Sequence, residues 1–521
     1  MAVQLMRFKW QERERSSGSV NYISSRGGGT AVAGAEAIRS GIAVDGGLFV
    51  PLTLPVLPVP TGVGGGYIEL AATILAAVLP DYSSEELRKC SAAAYAADKF
   101  DDPDTVPLTQ VGTRHVLELW HGPTSAFKDM ALQIMPHLMS LALKKTAESS
   151  DMLILVATSG DTGKAALEGF RDVARTRILV FYPSEGVSEV QRAQMVTQDG
   201  NNVGVVAVEG NFDDAQTGVK KIFSSVQMRE VLAKKNLKLS SANSINWGRL
   251  APQIAYYFSA YRSLCETGKL HCGDPVNFVV PTGNFGNILA GYYAKQMGLP
   301  INRLICASND NNVLTDFLRT GVYDRNRPFH QTISPSMDIL ISSNLERLLY
   351  HATDGDTGKV ASWMGQLNST GRYAVDAQTL TKIQATFWAD WASTEASMAT
   401  IRQVWQQQRY LLDPHTAVAW KVAEVYQAQT KDATPTIVLS TASPFKFADT
   451  VLQALLPGQP VSAEDSLALL ARLSELTGWT IPIGLAGLAA KEVKHRYKCR
   501  VDTMPEAVAY FVENRLDSPA K

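Results

Sequence analysis

Residues 278–295, FVVPTGNFGNILAGYYAK, decide the fold. The stretch begins as a continuous apolar strand, passes through a turn with Gly283 and Gly286, and opens a helix. Such a turn points several backbone N–H groups at one place, and the helix N-terminus adds a field that favours an anion. A phosphate is its natural guest, although an ordinary tight strand-to-helix turn reads the same way in isolation.

The same rhythm continues outward. Short β-rich runs stand at 115–119, 152–157, 177–182, 203–208, 277–280, 304–307 and 436–439, each followed by a helix-compatible segment. Apolar strands alternating with helices predict an α/β fold with parallel sheets covered on both faces. Residues 382–410 and the tail from Ser466 onward predict helices. In sheets of this kind ligands sit at the carboxyl ends of strands, so the residues just after each strand carry the chemistry.

Three further strand ends are informative. ATSGDTGKAAL (157–167) resembles a nucleotide loop but has Thr158 where the first Gly is needed and Ala165 where Ser or Thr is needed, which disfavours a nucleoside-triphosphate enzyme. What remains is a polar loop suited to a carboxylate or a second phosphate, or a helix capped by Ser159 or Asp161. ELWHGPTSAFKDMALQ (118–133) places Lys128 in the first turn of a helix, the end that cations avoid. Burial there would lower its pKa and make it a better amine nucleophile; the competing reading is a surface lysine beside Asp129. IVLSTASPFKFADTV (437–451) ends its strand in Ser440, Thr441 and Ser443, which either cap a helix or offer a neutral hydrogen-bond partner to a ring nitrogen. An activated lysine, a phosphate nest, a carboxylate loop and a neutral hydroxyl together describe a pyridoxal-phosphate site.

Composition removes other classes. With 45% hydrophobic and 19% charged residues the chain is expected to be folded over most of its length. Forty-nine Lys plus Arg against 50 Asp plus Glu leave no field to hold nucleic acid by counterion release. No run of 18 apolar residues predicts a membrane span. Five cysteines with no C-x-x-C pair argue against a zinc cage or disulfide framework and for a reducing, cytoplasmic compartment. The first 20 residues lack an apolar h-region, so neither a secretory signal nor a transit peptide is expected. The eight histidines show no metal spacing, and His121 and His415 read as hydrogen-bonded structural residues.

The motifs YISSRG (22–27), DGGLFVP (45–51), HGPTSAFKD (121–129), ATSGDTG (157–163), VAVEGNFDDAQ (206–216), NSINWGRLAPQ (243–253), PTGNFGN (281–287), SPSMDILISSNLERLL (334–349), DPHTAVA (413–419) and STASPFKF (440–447) run almost end to end. By them the chain resembles the threonine synthases of the longer fungal and bacterial subgroup, within the fold type II (tryptophan synthase β-like) pyridoxal-phosphate enzymes. The resemblance implies two parallel-sheet lobes plus an N-terminal domain. The expected divisions are 1–100 for the N-terminal domain, 101–205 for the smaller lobe, 206–455 for the larger lobe and 456–521 for a helical C-terminal segment. It implies pyridoxal 5′-phosphate as cofactor, Lys128 as the Schiff-base lysine, Gly283, Asn284, Phe285, Gly286 and Asn287 as the phosphate loop, and Thr441 as partner of the pyridine nitrogen. Ser159, Gly160, Asp161 and Thr162 fall at the substrate and ring face.

The implied reaction takes O-phospho-L-homoserine and water to L-threonine and phosphate, as a lyase of threonine biosynthesis, in a monomer or homodimer. The substrate phosphate needs its own anion site, for which Asn246, Arg249, Lys446 and Lys164 are the candidates. Two departures stand out: Ser443 replaces a histidine in the last motif, and the Pro/Gly-rich stretch 55–66 reads as an insertion. The alternatives are a phospholyase of the same family that yields 2-oxobutyrate, and a catalytically silent homologue serving as a binding or signalling module. The intact Lys128 and phosphate loop weigh against the silent homologue. The segment 334–349 matches without a chemical account.

Overall fold

The structure is a computed structural model, and it describes residues 20–58, 65–158, 160–185, 187–459, 461 and 465–514. Part of the presumed insertion, 59–64, lies outside the described residues. In chain order the first strands are β1 (Tyr22–Ser24), β2 (Phe49–Pro51), β3 (Leu108–Val111), β4 (Arg114–Glu118), β5 (Asp151–Ala157), β6 (Thr176–Pro183), β7 (Val203–Glu209) and β8 (Leu237–Ser240). They are followed by β9 (Val276–Pro281), β10 (Ile301–Ser308), β11 (Val322–Asp324), β12 (Arg372–Ala374), β13 (Phe387–Trp391), β14 (Thr436–Ser440) and β15 (Tyr497–Arg500).

Two sheets organise the molecule. A five-stranded sheet runs β15-β7-β6-β5-β8, with every neighbouring pair parallel. A six-stranded sheet runs β13-β10-β9-β14-β4-β3 and is parallel except for the β3–β4 hairpin. The central strands β5 and β9 are buried along nearly their whole length, as strands covered by helices on both faces must be. Two small antiparallel pairs, β1–β2 and β11–β12, stand apart from these sheets. Among the described residues no helix is long and apolar enough to cross a membrane.

Sheet membership departs from the expected divisions. β4, placed by sequence in the smaller lobe, pairs with β14 in the six-stranded sheet, whereas β8, from the expected larger lobe, pairs with β5. Residues 382–410 are not one helical region: helices Ala377–Thr386 and Thr394–Gln408 flank β13, which adds to the edge of the six-stranded sheet beside β10. The tail likewise contains β15 next to β7. The physical reason is common to all of them. A short strand is stabilised by the sheet edge it meets, and that edge is built by residues far away in the chain.

The arrangement brings the carboxyl ends of β4, β9 and β14 side by side and faces them with the loop after β5. That junction holds the site.

Candidate active site

β14 and β4 are neighbours, and the segments leaving them zip together. The Phe127 N–H donates to the Thr441 carbonyl at 2.8 Å, and the Ser443 N–H donates to the Ser125 carbonyl at 3.0 Å. Lys128 therefore emerges at the cap of the short helix Asp129–Leu132, with its side chain buried. Asp129 is not its partner: that carboxylate accepts from the Thr124 N–H and hydroxyl, both at 2.8 Å, and burial raises its pKa to about 6. Lys128 Nζ instead donates to Ser336 Oγ at 3.2 Å and lies 3.6 Å from Asp161 Oδ2.

Asp161 opens the helix Asp161–Phe170 after β5. Its carboxylate pairs with Lys446 at 2.7 Å and accepts from Gln191 Nε2 at 2.8 Å. Burial pushes the Asp161 carboxyl up, but the ammonium groups of Lys446 and Lys128 hold it well below the usual carboxylate range. Burial lowers the Lys128 pKa; Asp161 opposes this, while Lys446 and Arg249 add to it. Arg249 is buried too, donating through Nη1 to the Ala242 carbonyl at 2.6 Å while its Nε has no partner. Burial brings its pKa down to about 10, and among the described residues no carboxylate pairs with it. Lys446 and Lys128 thus flank Asp161, and the Arg249 guanidinium is near enough to depress Lys128, which leaves more buried positive charge than Asp161 balances, an excess whose desolvation an anion relieves.

The loop after β9 stands beside them. Phe285 sits in the left-handed region at φ 62° and caps the helix Gly286–Gln296. A Cβ on Gly283 would come within 2.5 Å of the Ser336 carbonyl oxygen, so only glycine fits there. Ser342 Oγ donates to the Gly283 carbonyl at 2.7 Å, and Asn344 donates its N–H and Nδ2 to the Asn284 carbonyl at 3.1 and 3.0 Å. Asn287 Oδ1 accepts from the hydroxyls of Tyr256 and Tyr257 at 2.6 and 3.0 Å, leaving Nδ2 buried with no partner. Helix N–H groups, a glycine that admits close approach and an orphaned amide donor fit a phosphate-bearing cofactor, with a lysine amine in the same junction.

The structure sorts the remaining candidates. Thr441 is buried beside the Lys128 segment through its backbone bond to Phe127. Gly160 caps the Asp161 helix and gives its N–H to Thr158 Oγ1 at 3.0 Å; Thr162 follows, half-buried. Ser159 lies outside the described residues. Asn246 is engaged in the fold: its amide donates to the Ile38 carbonyl at 2.9 Å and accepts from the Gly248 N–H at 2.8 Å as a helix cap, which leaves one Nδ2 hydrogen for a ligand. Lys164 is likewise taken up, by Glu168 at 3.0 Å and by Gln198. Ser443 caps the turn Pro444–Phe447.

The residue that sequence reasoning missed is Ser336, from the unexplained segment 334–349. The same segment ties the Gly283–Asn287 loop to the N-terminal unit, where Glu346 accepts from Arg26 at 2.8 and 2.7 Å and Arg347 donates to the Phe49 carbonyl at 2.9 Å. Its motif was the available signal, but the contact to Lys128 spans 208 positions and no local pattern encodes it.

Comparison with known proteins agrees with this geometry. Family models match in the order Threonine synthase N terminus (21–95), Pyridoxal-phosphate dependent enzyme (111–390) and Threonine synthase, C-terminal (416–479). Threonine synthase-like 1 of Macaca fascicularis is 44% identical over 81% of this chain, but the match covers only 58% of that protein's length. Threonine synthase of Schizosaccharomyces pombe is 37% identical over 84% of this chain and 90% of its own. Among solved structures, threonine synthase from yeast superposes with a TM-score of 0.84 at 35% identity, covering 96% of this chain and 99% of the other. A PLP-bound threonine synthase from Brucella melitensis gives 0.83 at 35% identity, covering 96% and 100%. With its N-terminal, cofactor and C-terminal regions matched in order around one lysine-centred site, this chain belongs to the threonine synthase family of pyridoxal-phosphate dependent enzymes.

Proposed function

We propose that this chain converts O-phospho-L-homoserine and water to L-threonine and phosphate. The observation that carries the reading is the buried positive charge of Lys128 and Lys446, which flank Asp161, and of Arg249, which acts on Lys128, next to the Gly283–Asn287 loop. An anionic cofactor and an anionic substrate are what such a site accommodates. When bound, pyridoxal phosphate supplies an electron sink for the charge left at the substrate α-carbon.

The chain's own residues divide the rest of the work. The loop N–H groups and Asn287 Nδ2 hold the cofactor phosphate, and Thr441 offers the ring nitrogen a neutral partner that does not keep it protonated. Lys128, with its lowered pKa, is a free amine for more of the time than an exposed lysine, which suits it to hold the cofactor and to accept and return protons. Arg249, unpaired at Nε, receives the phosphate that leaves the substrate. Lys446 is held by Asp161 and the Thr124 carbonyl, which fixes its charge beside the lysine rather than leaving it free to swing to substrate. The compartment we assign is the reducing cytoplasm, in keeping with five free cysteines, and the assembly is a monomer or homodimer.

The test is the purified full chain given O-phospho-L-homoserine. Equimolar threonine and phosphate release, with visible absorbance of lysine-bound cofactor that is lost in Lys128→Ala, is the expected result. Release of 2-oxobutyrate in place of threonine would assign a phospholyase, and absence of cofactor absorbance would overturn the reading.

A further inference from the structure

We infer that Ser336 is a catalytic residue of this site, the hydroxyl that holds the Lys128 amine in both of its protonation states, and that His415 is the residue positioning it. The inference rests on the reading of Lys128 as the cofactor lysine. A lysine that accepts and returns protons needs a neighbour compatible with ammonium and with free amine. Asp161 is an acceptor only, so it favours the ammonium, and at 3.6 Å it is already engaged by Lys446 and Gln191. A serine hydroxyl accepts from the ammonium and donates to the amine. Ser336 Oγ, at 3.2 Å, is the neutral partner that Lys128 Nζ has.

The residue is clamped from two sides. Its carbonyl abuts Gly283, in the phosphate loop. Its N–H donates to His415 Nε2 at 3.2 Å. His415 is itself fixed, because Nδ1 meets Asp413 Oδ1 at 2.8 Å. A carboxylate only accepts, so the ring proton sits on Nδ1 and Nε2 is left as an acceptor aimed at Ser336. Asp413 in turn caps the helix Pro414–Thr430, which anchors the chain of contacts in a regular element. On the far side, Asp338 pins the strap through the Thr332 N–H and hydroxyl and through Asn309 and Asn311, at 2.7 to 3.0 Å.

The charged groups facing Lys128 are Asp161, Lys446 and Arg249; Asp338 and Asp413 face His415. The groups facing Lys128 are untouched by replacing Ser336 or His415, whereas replacing His415 takes the Nδ1 partner from Asp413. The bond to the charged ammonium is the stronger of the two, so losing the hydroxyl costs the ammonium more than the amine and lowers the pKa, by about half to one pH unit. The experiment is trace acylation of the cofactor-free full chain with acetic anhydride across pH, reading the Lys128 peptide by mass spectrometry. The variants are Ser336→Ala, His415→Leu and His415→Gln, with thermal unfolding as the check on folding. Glutamine places an oxygen acceptor near the position of Nε2, and leucine places none.

The acylation midpoint should fall by about half to one unit in Ser336→Ala and His415→Leu and return to the wild-type value in His415→Gln. In the loaded enzyme, kcat should fall about tenfold in the first two variants with little change in KM. A wild-type midpoint in folded Ser336→Ala overturns the inference. Should that variant not fold, equal midpoints in His415→Leu and His415→Gln do the same. Borohydride trapping and peptide mapping locate the cofactor independently: finding it on another lysine would sink the assignment of Lys128 while leaving the acylation result to decide the contact.

Discussion

Replacing Asp161 with Asn removes the carboxylate that pairs with Lys446 and Lys128 while keeping the shape of the side chain. At 2.7 Å and an effective dielectric of about 20, the Lys446 pair alone has a gross attraction of about 6 kcal/mol. Deleting one partner of a buried pair typically costs about 3–5 kcal/mol, because the other charge remains desolvated. Asp161→Asn should therefore destabilise the cofactor-free chain by about 3–5 kcal/mol in urea unfolding at pH 7. Lys128 should become easier to acylate at a given pH, since Asp161 is the main influence holding its pKa up against burial. The pH dependence has a definite sign. Asp161 is depressed on folding, so its contribution is fully present above its unfolded pKa of about 4 and fades only as pH falls below that. The gap between wild type and variant should thus be flat from pH 8 to about 5 and narrow under more acid conditions. A loss below about 1 kcal/mol at pH 7, or an unmoved Lys128, would show that the buried cluster is not the electrostatic unit described above.

Two further outcomes follow from the geometry. Gly283→Ala puts a methyl group 2.5 Å from the Ser336 carbonyl, backbone against side chain with no flexible end to yield, and should weaken pyridoxal phosphate binding by about tenfold or more, read by equilibrium absorbance. His121, gripped by Asp101 at 2.6 Å and Glu118 at 2.8 Å, has its pKa raised to about 9 although burial works against it. That stability is complete below the unfolded value of about 6.5 and is lost as pH rises through 9, so wild type and His121→Asn should converge over this range by about 3 kcal/mol; parallel curves would refute it.

Much of the site was readable because its residues follow strands. The 283–287 loop, Asp161 and Thr441 each lie within a few positions of a strand end, and Lys128 follows its strand through a Gly-Pro turn, where apolar runs and glycine turns leave a local signature. Asn246 stands beside Arg249 in its motif, and only the fold shows its amide bonded to Ile38. β13 and β15 were read as helix because four or five residues carry too little periodicity to be separated from their helical surroundings.

The sequence by itself determined the class of sheet and the cofactor, and it singled out Lys128 as the lysine to test, since these depend on short contiguous patterns with strict steric requirements. The tertiary structure alone decided which strands share a sheet, which polar residues remain free for a ligand, and that Ser336, backed by His415 and Asp413, reaches Lys128 from 208 residues away. Those depend on desolvation and on hydrogen-bond pairing across the chain. A polar side chain becomes available or spent according to what is buried against it, and that is a property of the packed molecule rather than of the residue.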